Sequence, residues 1–155
     1  MFSLFIKNKK FFITAWSIFF IGFLINLIWE NVQAPLYKDF ITQPNHFFIC
    51  FQASFIDALI ILIFYAILVL LHKDLFWTQK IKKEDLFLLV LVGFVVSVWI
   101  EKRALAAFRW KYGIDMPLLP FIDVALTPDF QMIVLPVATF WLVNYLIKKY
   151  NKNIN

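Results

Sequence analysis

Cysteine, glycine and charge are all scarce in this chain. Cys50 is the single cysteine, so no intrachain disulfide and no cysteine-based metal motif can form; a small buried hydrophobe is its expected role. Three glycines in 155 residues make no Gly-rich phosphate loop, and no Ser/His/Asp set or zinc motif is present. Only 16% of the residues are charged, against about a quarter in a soluble domain. Neither an internal repeat nor a low-complexity segment interrupts the sequence.

What fills the chain is apolar: 63% of it is hydrophobic, 20 residues are Phe, and the mean hydropathy is +0.79. One domain, residues 1–155, is the natural count at this length. Four apolar runs predict an all-α polytopic membrane protein, a four-transmembrane-helix bundle with spans at about 11–30, 47–71, 86–108 and 129–147. The net charge of +5 and pI near 9.4 raise a nucleic-acid partner. That is excluded because the Lys residues stand at the ends of apolar runs, where positive charge sets membrane orientation.

Phe11 to Trp29 is uncharged, long enough to cross a hydrocarbon core of about 30 Å. It is too long for the about 7–15 residues of a signal-peptide core. Val32-Gln33-Ala34 weakly resembles a cleavage site, but Pro35 follows, so retention of the segment is expected. Phe47 to Leu71 encloses Asp57. The connector His72 to Asp85 carries Lys73, Lys80, Lys82 and Lys83, with Phe76 and Trp77 set for the interface. The third run, Leu86 to Ile100, is short and is expected to continue as helix through Glu101 to Ala107, with Gly113 as its stop. Pro117, Pro120 and Pro128 mark Met116 to Pro128 as a loop on or dipping into the outer face. Pro136 predicts a kink in the fourth span, Gln131 to Ile147.

Four spans put both termini and the middle connector on one side. That side holds ten Lys and Arg, among them Lys7, Lys9, Lys10 and Lys152. The other holds five: Lys38, Lys102, Arg103, Arg109 and Lys111. With the acids included, among them Asp39 on the outer side, the two sides net +7 and −2. Positive charge faces inward, which places the termini in the cytoplasm of a multi-pass cell-membrane protein. His46 and His72 then lie on opposite sides and share no metal.

Counting up each helix at 1.5 Å per residue puts Asn26 about 24 Å, Asp57 and Glu101 about 22 Å, and Gln131 about 25 Å above the cytoplasmic base, with Glu30 at about 30 Å. Asn26, Glu30, Gln33 and Tyr37 share one helical face, as do Ser54 with Asp57 and Ser97 with Glu101. Carboxylates are costly in lipid and face a bundle interior or a water-filled cavity. Glu30, Asp57 and Glu101 are the candidate catalytic acids, and Arg103 and Arg109 their expected counterions. Asn26, Gln33, Tyr37, Ser54, Arg103, Arg109, Trp110, Tyr112 and Gln131 are the candidate binding residues. The layer is either such a site or internal glue with an interfacial rim. A divalent cation on Glu30, Asp57 and Glu101 is a lesser alternative, and neither a metal nor a cofactor is expected. Trp29, Trp99 and Trp110 read first as an aromatic belt, with Trp77 in the belt of the other face.

Trp29-Glu30-x-x-Gln33-x-Pro35-Leu36-Tyr37, Ser54-x-x-Asp57, Glu101, Trp110-x-Tyr112 with Met116-Pro117-x-x-Pro120, and Pro128-x-x-Gln131 occur in that order. Over residues 22 to 145 the chain resembles a family of small uncharacterised bacterial four-span membrane proteins. The resemblance implies the same topology and the same polar residues, and no reaction. The chain departs from the pattern at Ile56, where Gly is expected before the Asp, and at Gln52-Ala53, in place of a Cys-containing run. Ile122-Asp123-Val124-Ala125 likewise replaces a Gly-containing turn. Three functions compete: an intramembrane enzyme or binding protein for a lipid-like molecule, a small transporter subunit, and an assembly subunit bound to a membrane-protein partner or to its own copies. The lack of a polar path through the inner half speaks against the second.

Overall fold

The computed structural model describes the backbone of residues 2–38, 40 and 42–154, with side chains for 10–38, 40 and 42–149. Asp39 and the side chains of Lys7, Lys9 and Lys152, which entered the charge count, lie outside the described residues. The chain is all-helical: α1 (Phe2–Gln33), α2 (His46–His72), α3 (Lys83–Ala106) and α4 (Leu126–Ile154). Short 3-10 turns, Ala34–Leu36 and Trp77–Lys80, follow α1 and α2.

Three stretches are long and apolar enough to cross a membrane: Lys10–Leu36, His46–His72 and Leu126–Lys149. Helix α3 differs because its ends are charged, with Lys83, Glu84 and Asp85 at one and Glu101, Lys102 and Arg103 at the other. The exterior is apolar. Phe12, Trp16, Phe20, Leu24, Ile28 and Val32 recur every fourth residue along α1, on one face, and all are exposed. A soluble monomer rarely exposes so continuous an apolar stripe.

Local chemistry explains where the helices stop. The α2 C-cap, Lys73, is left-handed at φ 51°. At the start of α3, Asp85 accepts the Lys82 N–H at 2.9 Å and, with Glu84, sits at the positive end of the helix dipole. The end of α3 departs from expectation. It stops at Ala106 rather than running toward Gly113: Phe108 turns left-handed at φ 54°, and the N–H groups of Ala107, Phe108 and Arg109 close on the carbonyls of Arg103, Leu105 and Ala104. A non-glycine residue therefore makes the turn, and Gly113 serves elsewhere. Helix α4 begins at Leu126, so Pro128, expected in the loop, falls in its first turn, where its missing N–H costs nothing. The helix runs on through Pro136.

In packing order α2 lies on α1, α1 on α4, and α4 on α3, whereas α2 and α3 make no extensive contact. The α3–α4 seam depends on Gly93: a Cβ there would lie 2.5 Å from the Met132 carbonyl oxygen. That carbonyl is the one Pro136 leaves without its helical N–H donor. The end of the bundle holding the α2–α3 connector is sealed by Tyr65, Trp77 and Phe140, all buried and in mutual ring contact. Tyr65 donates to the Leu75 carbonyl at 2.5 Å, and His72 pairs with Asp85 at 2.6 Å.

At the other end, the segment after α1 and the loop after α3 are stitched by backbone hydrogen bonds, Lys38 N–H to Lys111 O at 2.9 Å and Gly113 N–H to Leu36 O at 2.8 Å. A Cβ on Gly113 would lie 2.7 Å from that Leu36 oxygen, so this glycine permits a close backbone approach. Residues 117–126 fold back on themselves, Leu119 N–H to Val124 O and Leu126 N–H to Pro117 O, both at 2.8 Å.

Candidate binding site

The stitched end is where the polar side chains converge. Gln131, near the start of α4 and 2% exposed, is the hub. Its Nε2 lies 2.9 Å from each of Asn26 Oδ1, Glu30 Oε1 and Asp57 Oδ2. An amide nitrogen carries two protons, so three acceptors compete for them. Gln33 Nε2 donates at 3.0 Å to both Gln131 Oε1 and Glu30 Oε1, and the Trp29 indole donates to Gln33 Oε1 at 3.1 Å. Asn26 is anchored in turn to the Gly22 carbonyl at 2.7 Å. Trp29, assigned to an aromatic belt from sequence, thus also orients a member of the network, and its ring stacks on Phe130 of α4.

Glu101 forms a second pole. It is 3% exposed and accepts from the Tyr112 hydroxyl and, at 3.4 Å, from the Trp110 indole. The Tyr112 oxygen also accepts the Ala125 N–H at 3.1 Å, so one phenol ties Glu101 to the folded loop. Tyr37 packs against the Trp110 and Tyr112 rings, with centroids 6.1 and 6.0 Å away. Burial, and then the negative charge of Glu101 and Glu30, push the Tyr37 phenol far above its ordinary value. Burial and the hydrogen bond to Glu101 do the same for Tyr112. Both phenols therefore stay protonated across the whole physiological range.

Three expectations need correction. Arg103 and Arg109 are not counterions of the acids: among the described residues the one ion pair within 4.0 Å is His72–Asp85. Both Arg side chains are exposed at the rim of the cavity described below, and the Arg103 guanidinium lies over the Trp99 ring, 5.2 Å from its centroid. Water solvates a guanidinium there, which burial against the acids would forfeit. Ser54 is buried but donates back to the Cys50 carbonyl of its own helix at 2.7 Å and does not join the network. Tyr37 lies beyond the last turn of α1, in extended backbone, and arrives through the Ala34–Leu36 turn rather than by helical periodicity. Among the described residues no group of three His, Cys, Asp or Glu is arranged to hold a metal ion.

Glu30, Asp57, Glu101, Gln33 and Gln131 line one cavity of about 740 Å³. Its walls are apolar: Ile49, Ala53, Ile56 and Ile60 from α2, Trp99, Ile100 and Ala104 from α3. Since α2 and α3 hardly touch, the cavity is a cleft between them, with a polar floor of Glu30 and Gln33 from α1, Asp57 from α2, Glu101 from α3 and Gln131 from α4. The volume suits an organic ligand. Asn26 and Tyr112 support the floor without lining the cleft.

The sequence reading passed over Asp129. It is 2% exposed, and neither carboxylate oxygen has a hydrogen-bond partner among the described residues. The Ser97 hydroxyl lies beside it without well-formed hydrogen-bond geometry. Its position in the first turn of α4 gives it the positive end of that helix dipole. A carboxylate just before the Gln131 hub was the available signal. Compared with family models, with curated proteins and with solved structures, the chain matches none.

Proposed function

We propose that this protein is a four-span membrane protein of the cell membrane, both termini cytoplasmic, that binds a lipid-like molecule in the α2–α3 cleft. The three apolar stretches support membrane residence. The apolar exposed positions of α3, Phe87, Leu91, Val95 and Trp99, support a fourth crossing. The excess of Lys and Arg around the termini and the α2–α3 connector supports the orientation.

The observation that carries the ligand class is the cleft itself. It lies between α2 and α3, both with exposed apolar faces, its walls are Ile, Ala and Trp, and its floor is acidic and amidic. A molecule with an apolar chain and a polar head matches both surfaces at once. A soluble polar solute matches only the floor. The aromatic seal of Tyr65, Trp77 and Phe140 at the other end supports a site with one open side over a conduit. Likeness to small four-span bacterial membrane proteins belongs to the same proposal, because six of the residues shared with that pattern, Glu30, Gln33, Tyr37, Asp57, Glu101 and Gln131, line this cleft, although Ser54 and Tyr112 of the same pattern do not.

The test is native mass spectrometry of the protein released from membrane-derived nanodiscs. A lipid retained at one per chain, and lost when Ala53→Trp fills the cleft, is the expected result. A chain free of lipid but bound stoichiometrically to another protein would instead make the polar layer the core of an assembly subunit.

A further inference from the structure

The cleft is electrostatically lopsided. Three carboxyl groups, Glu30, Asp57 and Glu101, line it, and none is within 4.0 Å of a Lys, Arg or His among the described residues. Their donors are neutral: the amides of Gln33 and Gln131, the Trp110 indole and the Tyr112 phenol. Glu30 and Asp57 share the Gln131 amide nitrogen, which also serves Asn26. That nitrogen faces more acceptors than it has protons, and the Glu30 and Asp57 carboxyl groups stand within hydrogen-bond reach of each other. Adjacent carboxylates at low dielectric repel one another unless a cation or a proton comes between them. Beside the acids, Tyr37 and Trp110 contribute aromatic rings to the same cavity, and aromatic rings beside acids favour a cation. The positive groups are at the rim instead: Arg103, held over Trp99, and Arg109, both exposed and both lining the cleft. Arg is suited to a planar, bidentate grip on phosphate.

Resting on the proposal that the cleft takes an amphiphile, we infer that its headgroup carries a primary amine and a phosphate, the amine lodged at the acids and the phosphate at the two arginines. A primary ammonium brings three N–H donors to a floor short of them, whereas a quaternary ammonium brings none. A headgroup with phosphate and no amine would set an anion toward three carboxyl groups. The apolar chains lie along the Ile49, Ile56 and Ile60 wall, open to the bilayer.

The probe is the full chain reconstituted in nanodiscs of equimolar phosphatidylethanolamine, phosphatidylcholine and phosphatidylglycerol, with retained lipid read by native mass spectrometry. Phosphatidylethanolamine is expected to be kept over each of the others by roughly tenfold, the scale of one well-formed charged contact. Glu101→Gln keeps an acceptor for Tyr112 and Trp110 but removes a charge, and should cut that preference severalfold with little change in melting temperature. Arg103→Gln and Arg109→Gln, at exposed positions, should weaken retention of phosphatidylethanolamine without restoring phosphatidylglycerol. Equal retention of all three lipids, or preference for phosphatidylglycerol or phosphatidylcholine, overturns the amine inference while leaving the amphiphile reading intact. Absence of any retained lipid overturns both. Chain-free glycerophosphoethanolamine at matched concentration separates the sources of this headgroup: full displacement of the lipid by it would sink the amphiphile reading and uphold the amine site.

Discussion

The side-chain amide of Gln131 on α4 hydrogen-bonds the carboxyl group of Asp57 on α2 at 2.9 Å, reaching across two helices that hardly pack on each other. The same nitrogen holds Asn26 and Glu30 of α1. One side chain therefore joins three helices at the floor of the cleft. Gln131→Leu should leave several buried acceptors unsatisfied, each costing about 1–3 kcal/mol, and should lower the detergent melting temperature by many degrees. An unchanged melting curve would mean that the network contributes nothing to holding the bundle.

Neutral isosteres separate glue from site. Asp57→Asn and Glu101→Gln preserve shape and acceptor oxygens, and no Lys or Arg partner is orphaned by losing the charge. Both should fold with melting temperatures within a few degrees of the parent while losing much of the preference for phosphatidylethanolamine. Marked destabilisation of both would assign the acids to structure, since each buried hydrogen-bonding group left unsatisfied costs about 1–3 kcal/mol.

Gly93 and Gly22 make a matched pair. Gly93→Ala drives a Cβ to 2.5 Å from the Met132 backbone oxygen, whereas at Gly22 the nearest atom is the Ile61 side chain at 3.4 Å. Gly93→Ala should therefore force α3 off α4 and cost about 1–3 kcal/mol, with Gly22→Ala near neutral. Equal melting temperatures for the two would contradict the close α3–α4 seam.

The Tyr37 and Tyr112 phenols, both raised above their ordinary value of 10.0, set an alkaline window. Folding holds their protons more tightly than the unfolded chain does. Their contribution to stability is therefore fully present below pH about 10 and falls away as pH rises toward the folded-state values. Absorbance titration of phenolate should show fewer tyrosines ionising near pH 10 in Tyr37→Phe plus Tyr112→Phe only after denaturation, with the native titration unchanged. Loss of native signal near pH 10 in that double variant would place both phenols in ordinary solvent.

Topology checks the proposed orientation directly. Reporter fusions at residue 78 and at the C-terminus should read cytoplasmic, and fusions at 42 and 118 external. A cytoplasmic reading at 118 would remove α3 as a span.

Apolar runs, and the breaks between them, already determine in the sequence that the chain is helical, where α2 begins and ends to within a residue, and that Asn26, Asp57, Glu101 and Gln131 stand at nearly one height, because these depend on helical rise and on local propensity. Which face meets which neighbour does not. Arg103 and Arg109 are, from the sequence, the obvious cations for the acids, yet only the packed helices decide that the guanidiniums stand at the rim. The end of α3 escaped the sequence because a non-glycine residue, Phe108, makes the left-handed turn once the loop N–H groups satisfy the last carbonyls. Gly113 was then free to let Leu36 approach. The cleft is tertiary in origin: α2 on α1, α1 on α4 and α4 on α3 leave α2 and α3 apart. A gap between two helices is a property of how the others pack, and no single segment encodes it.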